Sequence, residues 1–101
     1  GAAYGVVVNA TPLGLDAEDP LPCPGTLLGP GVLAIDSPYR PGGTPFARLA
    51  LRTGAALVDG FALLLAQAAG QSTLFAGRPV DAASLGALLP PRITSLFEVS
   101  R

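Results

Sequence analysis

Tyr39 lies in IDSPYRPGGTPF, residues 35–46, directly after an apolar run that ends on Asp36. Pro38 and Pro41 flank it, and proline fixes the local backbone, so the phenol is carried on a stiff turn. Such a hydroxyl can form one wall of a binding site, donating and accepting hydrogen bonds. The same residues could also be a rigid turn and nothing more. Gln67 is a second polar group in an apolar setting, within GFALLLAQAAGQSTLFAG, residues 60–77. Its amide both donates and accepts, which suits either a ligand or the backbone of a packed core. Gly60, Leu63, Gln67 and Gln71 follow at intervals of three, four and four residues, so on a helix they share a face. Gly60 opens that helix and permits a close backbone approach.

Covalent and metal chemistry has little to work with. The chain has no histidine and one cysteine, Cys23, in the proline-bounded PLPCPG. A nucleophilic cysteine is normally activated by a histidine, and zinc sites draw on several His and Cys ligands. No catalytic residue and no metal ligand is therefore assigned, and Cys23 is read as incidental. A lone cysteine also forms no internal disulfide, which gives no support for an oxidising compartment.

The elements that must position these groups follow from the apolar pattern. Tyr4–Val8 (YGVVV), Gly31–Asp36 (GVLAID) and 55–59 (AALVD) read as short strands without polar alternation. Residues 14–31 are rich in Pro, Gly and Asp and read as a loop with one short helical turn. Thr44 can cap a helix with Pro45 at its first position, running to a left-handed cap at Gly54. A long helix from Gly60 is broken at Gly77 and Pro79, and Asp81 can cap a last helix through Leu88 or Leu89. Apolar strands separated by helices indicate a parallel sheet covered on both faces. The expected fold is a Rossmann-like α/β half-sheet with covering helices, a partial domain: residues 1–59 carry the sheet, and 60–101 the C-terminal helices. Ligands of open α/β sheets bind beyond the carboxyl ends of the strands. NATPLG, DSPYRP and DGFALL, which follow the three strands, should therefore line one crevice.

Composition sets outer bounds. With 101 residues, 50% hydrophobic, 13% charged and a net charge of −1, the chain suits one small folded unit. Its arginines are scattered (Arg40, Arg48, Arg52, Arg78, Arg92, Arg101), so no basic patch invites nucleic acid. The most apolar stretch is interrupted by Gln67, Gln71, Ser72 and Thr73, short of the ~20 apolar residues of a membrane span. No basic segment followed by an apolar run opens the chain as a secretory signal would, and a cytoplasmic location is expected. A nucleotide-binding α/β domain also needs a glycine-rich turn between its first strand and a helix. The one candidate, LGPGVLA at 28–34, precedes a strand and is a plain turn. Either the chain binds no dinucleotide, or its phosphate loop lies upstream of residue 1.

Taken together and in order, VVVNATPLGL, IDSPYRPGGTPF and VDGFALLLAQAA resemble the C-terminal portion of shikimate dehydrogenases, over residues 4 to about 80. The resemblance implies NADP as cofactor and shikimate or 3-dehydroshikimate as small-molecule substrate, in aromatic amino acid (chorismate) biosynthesis. It assigns Tyr39 and Gln67 to the substrate, the latter through ring hydroxyls. Gly60 matches a glycine whose backbone meets the nicotinamide end, and Thr11 lies on the ribose and phosphate side. Asp36 and Thr44 match structural positions. Two cofactor-side positions differ: Leu63 stands where the family commonly has methionine beside the nicotinamide, and Ser37 where it often has a hydrophobic residue. Ala62 replaces a frequent glycine. These differences point to a divergent member, such as a quinate or aminoshikimate dehydrogenase.

The family's lysine–aspartate pair comes from an N-terminal substrate domain, and this chain has no lysine. The chain alone is thus expected to be inactive, a fragment whose partner is the missing N-terminal part of the same enzyme. The competing expectation is a non-catalytic α/β module that keeps the motifs as inherited structure. Shikimate against quinate, NADP against NAD and the oligomeric state stay open at this point.

Overall fold

Residues 5–99 are described by a computed structural model of the chain. The β-branched run forms β1 (Val6–Asn9), GVLAID forms β2 (Leu33–Asp36), and AALVD forms β3 (Ala56–Val58). Tyr4, at the head of the expected first strand, lies outside the described residues. The strands make one three-stranded parallel sheet in the order β1-β2-β3, with β2 in the centre. Register aligns Val7 with Ala34 and Ala34 with Leu57, and at the carboxyl end it sets Asn9 beside Asp36.

The link from β1 to β2 is the Pro/Gly-rich loop, whose single helical turn is the 3-10 helix Gly25–Leu27. From β2 to β3 the chain runs through α1 (Pro45–Arg52). Thr44 caps it as expected: its hydroxyl accepts from Ala47 N–H at 3.0 Å, with Pro45 in the first turn. Gly54 follows at φ 84°, the left-handed conformation that a glycine adopts freely. After β3, Asp59 caps α2 (Gly60–Ala76), accepting from Ala62 N–H at 2.8 Å, and Gly77 ends it at φ 67°. Asp81 caps α3 (Ala82–Ala87), which stops slightly before the expected Leu88. A further helix, α4 (Pro91–Leu96), was not anticipated. It has six residues and no side-chain cap, so neither periodicity nor a capping residue announces it.

The core forms where one row of the sheet meets α1. Ala34, Phe46, Ala50, Val32, Leu28 and Ala55 are buried together, with Val7, Leu57, Leu49 and Cys23 packed at the margin. The expectation of cover on both faces is not met. On the opposite row Val6 is 53% and Val8 55% exposed. Strands apolar on both sides are built to be covered on both, and residues 5–99 furnish full cover for one. No helix among the described residues is long and apolar enough to cross a membrane.

Candidate functional site

The carboxyl ends of β1 and β2 are tied together by a buried polar network. Asn9, 2% exposed, donates from Nδ2 to the Leu13 carbonyl at 3.0 Å and to Asp36 Oδ1 at 2.8 Å. Its Oδ1 accepts from the Thr11 amide at 3.1 Å and the Thr11 hydroxyl at 2.6 Å. The Thr44 hydroxyl donates to Asp36 Oδ2 while capping α1. One carboxylate thus fixes the NATPLG turn, the strand end and the start of α1. Burial pushes the Asp36 carboxyl above its usual range, the bonds from Thr44 and Asn9 oppose that, and the nearby Asp59 charge adds to it. Asp36 and Thr44 have the structural role expected of them. Sequence reasoning does not single out Asn9; the signal it offers is a polar side chain at a strand end, two residues before Thr11-Pro12.

Above this network the backbone opens into a cleft of about 330 Å³, lined by Ala10, Thr11, Pro12, Leu15, Ser37, Pro38 and Tyr39. The Ser37 amide donates to the Asn9 carbonyl at 2.9 Å, which holds the two loops side by side. Thr11, Ser37 and Tyr39 are all exposed there, and Tyr39 keeps 44% of its surface. The third expected segment does not share this cleft. Asp59, Gly60 and Phe61 line a smaller neighbouring cavity, with Pro38 and Tyr39 as the common wall. The expected single crevice is therefore two spaces divided by Tyr39.

Gly60 is buried against that wall. A Cβ built on it would lie 2.1 Å from the Pro38 carbonyl oxygen and 2.8 Å from that of Ser37. The close approach that calls for glycine here is made by the protein's own backbone. Leu63 is half-buried on α2, and Gln67 is exposed, its side chain making no hydrogen bond among the described residues. Neither lines the two cavities described. The alternative of a core glutamine satisfied by backbone does not apply.

Phe97 was also missed. Its ring stacks on Phe61 at 4.9 Å between centroids and meets Tyr39 edge-on at 5.8 Å. Burial pushes the Cys23 thiol up, away from the thiolate that reactivity requires. Among the described residues no group of three His, Cys, Asp or Glu is placed to hold a metal.

The parallel sheet with a cleft at its carboxyl ends defines the class: this is a partial Rossmann-like α/β domain. No family model matches the chain. The shikimate dehydrogenase (NADP(+)) of Rubrobacter xylanophilus is 43% identical over 81 residues, covering 79% of this chain and 28% of that protein. The crystal structure of shikimate dehydrogenase from Aquifex aeolicus superposes with a TM-score of 0.70 at 29% identity, over 82% of this chain and 30% of that one. The ligand-free 5-ketofructose reductase of Gluconobacter sp. strain CHM43 superposes with a TM-score of 0.71 at 25% identity, also over 82% and 30%. The chain belongs to the shikimate dehydrogenase family and corresponds to the C-terminal region of its members. It spans less than a third of the length of the Rubrobacter relative, 28%.

Proposed function

We propose that this chain is the C-terminal portion of an NADP-dependent shikimate dehydrogenase, interconverting 3-dehydroshikimate and shikimate. The observation that carries the reading is the cleft itself: Thr11, Ser37 and Tyr39, all from motifs characteristic of the family, meet at the carboxyl ends of parallel strands. Its volume, about 330 Å³, falls in the range of small-molecule sites and suits one ring end of a cofactor or substrate. In this reading residues 1–59 complete a cofactor domain, and 60–101 run back toward a substrate domain contributed by preceding sequence. That preceding sequence would also supply the glycine-rich phosphate loop and the lysine–aspartate pair that this chain lacks. The protein would work in the cytoplasm as a soluble enzyme of aromatic biosynthesis, without membrane or nucleic-acid partners.

NADP, when bound, supplies the hydride chemistry. The residues here bind and orient. Tyr39, on its proline-stiffened turn, presents a phenol to a substrate hydroxyl or carbonyl. Gln67, exposed and unpaired among the described residues, donates and accepts toward ring hydroxyls when the substrate domain lies over α2. Thr11 and Ser37 line the cofactor side, and Gly60 and Leu63 on α2 are assigned to the nicotinamide end. Holding reactants close and aligned lowers the barrier by removing the entropy of bringing them together. The Ser37 hydroxyl, polar where the family is often apolar, favours a second reading: the same reaction on quinate or an amino analogue.

The test is kinetic. In the full-length protein Tyr39→Phe and Gln67→Ala should each lower kcat/KM for the hydroxylated substrate by about 1–3 kcal/mol of binding, the loss from leaving a buried polar partner unpaired. Wild-type kinetics in both variants would overturn the site.

A further inference from the structure

The C-terminal segment that follows α3 lies outside the motifs that carry the family resemblance, yet it is fastened to the tyrosine turn at three points. The Gly42 amide donates to the Leu96 carbonyl at 2.8 Å. Val99 covers Gly43 so closely that a Cβ on Gly43, whose φ is 88°, would fall 2.8 Å from a Val99 methyl. Between them Phe97 lines the smaller cavity, its ring stacked within 12° of parallel on Phe61 and at 65° to Tyr39. Edge-to-face and offset-stacked rings at such spacings attract beyond simple area burial.

Tyr39 is otherwise poorly held. It is 44% exposed, and its neighbouring Pro38 and Pro41 stiffen the backbone without touching the χ angles of the ring. On one side the ring borders the open cleft, and on the other it borders the cavity that Phe97 also lines. Phe61 belongs to the first turn of α2, next to Gly60. We infer that Phe97 is a positioning residue: its ring sets the orientation of Tyr39 toward the cleft and couples that orientation to the start of α2.

The inference rests on the reading of Tyr39 as a substrate contact only for its functional consequence, so two measurements separate the two claims. In the full-length protein, selective ring labelling of tyrosine, with a Tyr39→Phe variant to assign the signal, isolates the Tyr39 NMR resonance. In wild type the Tyr39 ring should show contacts to Phe97 and restricted motion. In Phe97→Ala the ring should become mobile while the melting of the sheet stays close to wild type, and Phe97→Tyr should restore the restriction. A Tyr39 ring equally ordered in Phe97→Ala overturns the inference. In the full-length protein, Phe97→Ala should raise KM for shikimate several-fold, about as much as Tyr39→Phe, with KM for NADP unchanged. The double variant should be no worse than either single one. A freed Tyr39 ring with an unchanged KM for shikimate overturns instead the assignment of Tyr39 to the substrate.

Discussion

Asp36 concentrates three tasks in one buried carboxyl, and its environment makes it titrate in an unusual direction for a hydrogen-bonded acid. Burial is the dominant influence and raises its pKa, against the opposing bonds from Thr44 and Asn9. The folded chain then holds the Asp36 proton more tightly than the unfolded chain. Its contribution to stability is present in full below the ordinary carboxylate value of ~4 and is lost as pH rises through the raised folded value. Asp36→Asn, neutral throughout, should therefore lose less relative to wild type as pH rises from about 4; melting temperatures of both across that range provide the check, and a gap that widens with pH contradicts it. Asp81 goes the other way, its pKa lowered by capping Ser84 N–H at 2.7 Å. Thr44→Ala removes both a helix cap and a donor to a buried carboxylate, so a loss of about 2–4 kcal/mol is expected, readable as a lower denaturant midpoint. At this scale the Thr44 cap was legible because capping rules single it out, and Asp36 because it closes an apolar strand. Asn9 and Phe97 were not: one acts through partners 27 residues away, and the other through rings brought together only by the fold.

Element boundaries came out of the sequence where caps mark them. Thr44-Pro45 and Asp81 each start a helix, and Gly54 and Gly77 each follow one, while Asp59, read as a strand end, proves to cap α2. Helix α4 escaped because it is short and is held by the Gly42–Leu96 bond and the Phe97 stack rather than by its own pattern. The junction of β3 with α2 gives the sharpest element-scale prediction. Gly60→Ala would set a Cβ 2.1 Å from the Pro38 carbonyl oxygen and force that carbonyl away, which should cost about 1–3 kcal/mol and lower the melting temperature by ~4–8 °C per kcal/mol. Because Pro38 and Tyr39 form the wall between the cavities, substrate KM should rise with it. Gly70→Ala on the same helix meets nothing within 4 Å and should instead stabilise by ~0.5–1 kcal/mol. Equal effects from the two substitutions, in a thermal melt, would contradict this account of Gly60.

For the whole molecule, strand composition foretold a parallel sheet, but overstated its cover. All-apolar strands such as VVV and LAI report burial in the assembled protein, and Val6 and Val8 remain more than half exposed, at 53% and 55%. Helical spacing put Leu63 and Gln67 on one face, and neither lines the two cavities among the described residues. The central claim is that these walls of a cleft belong to a shikimate-oxidising enzyme completed by preceding sequence. The most direct measurement is NADPH formation, followed by absorbance, when the purified full-length protein is given NADP and shikimate, with quinate and the 101-residue chain alone run in parallel. Shikimate-dependent NADPH formation by the full-length protein, and none by the chain alone, is the predicted result. Absence of NADPH formation by the full-length protein with both shikimate and quinate would contradict it.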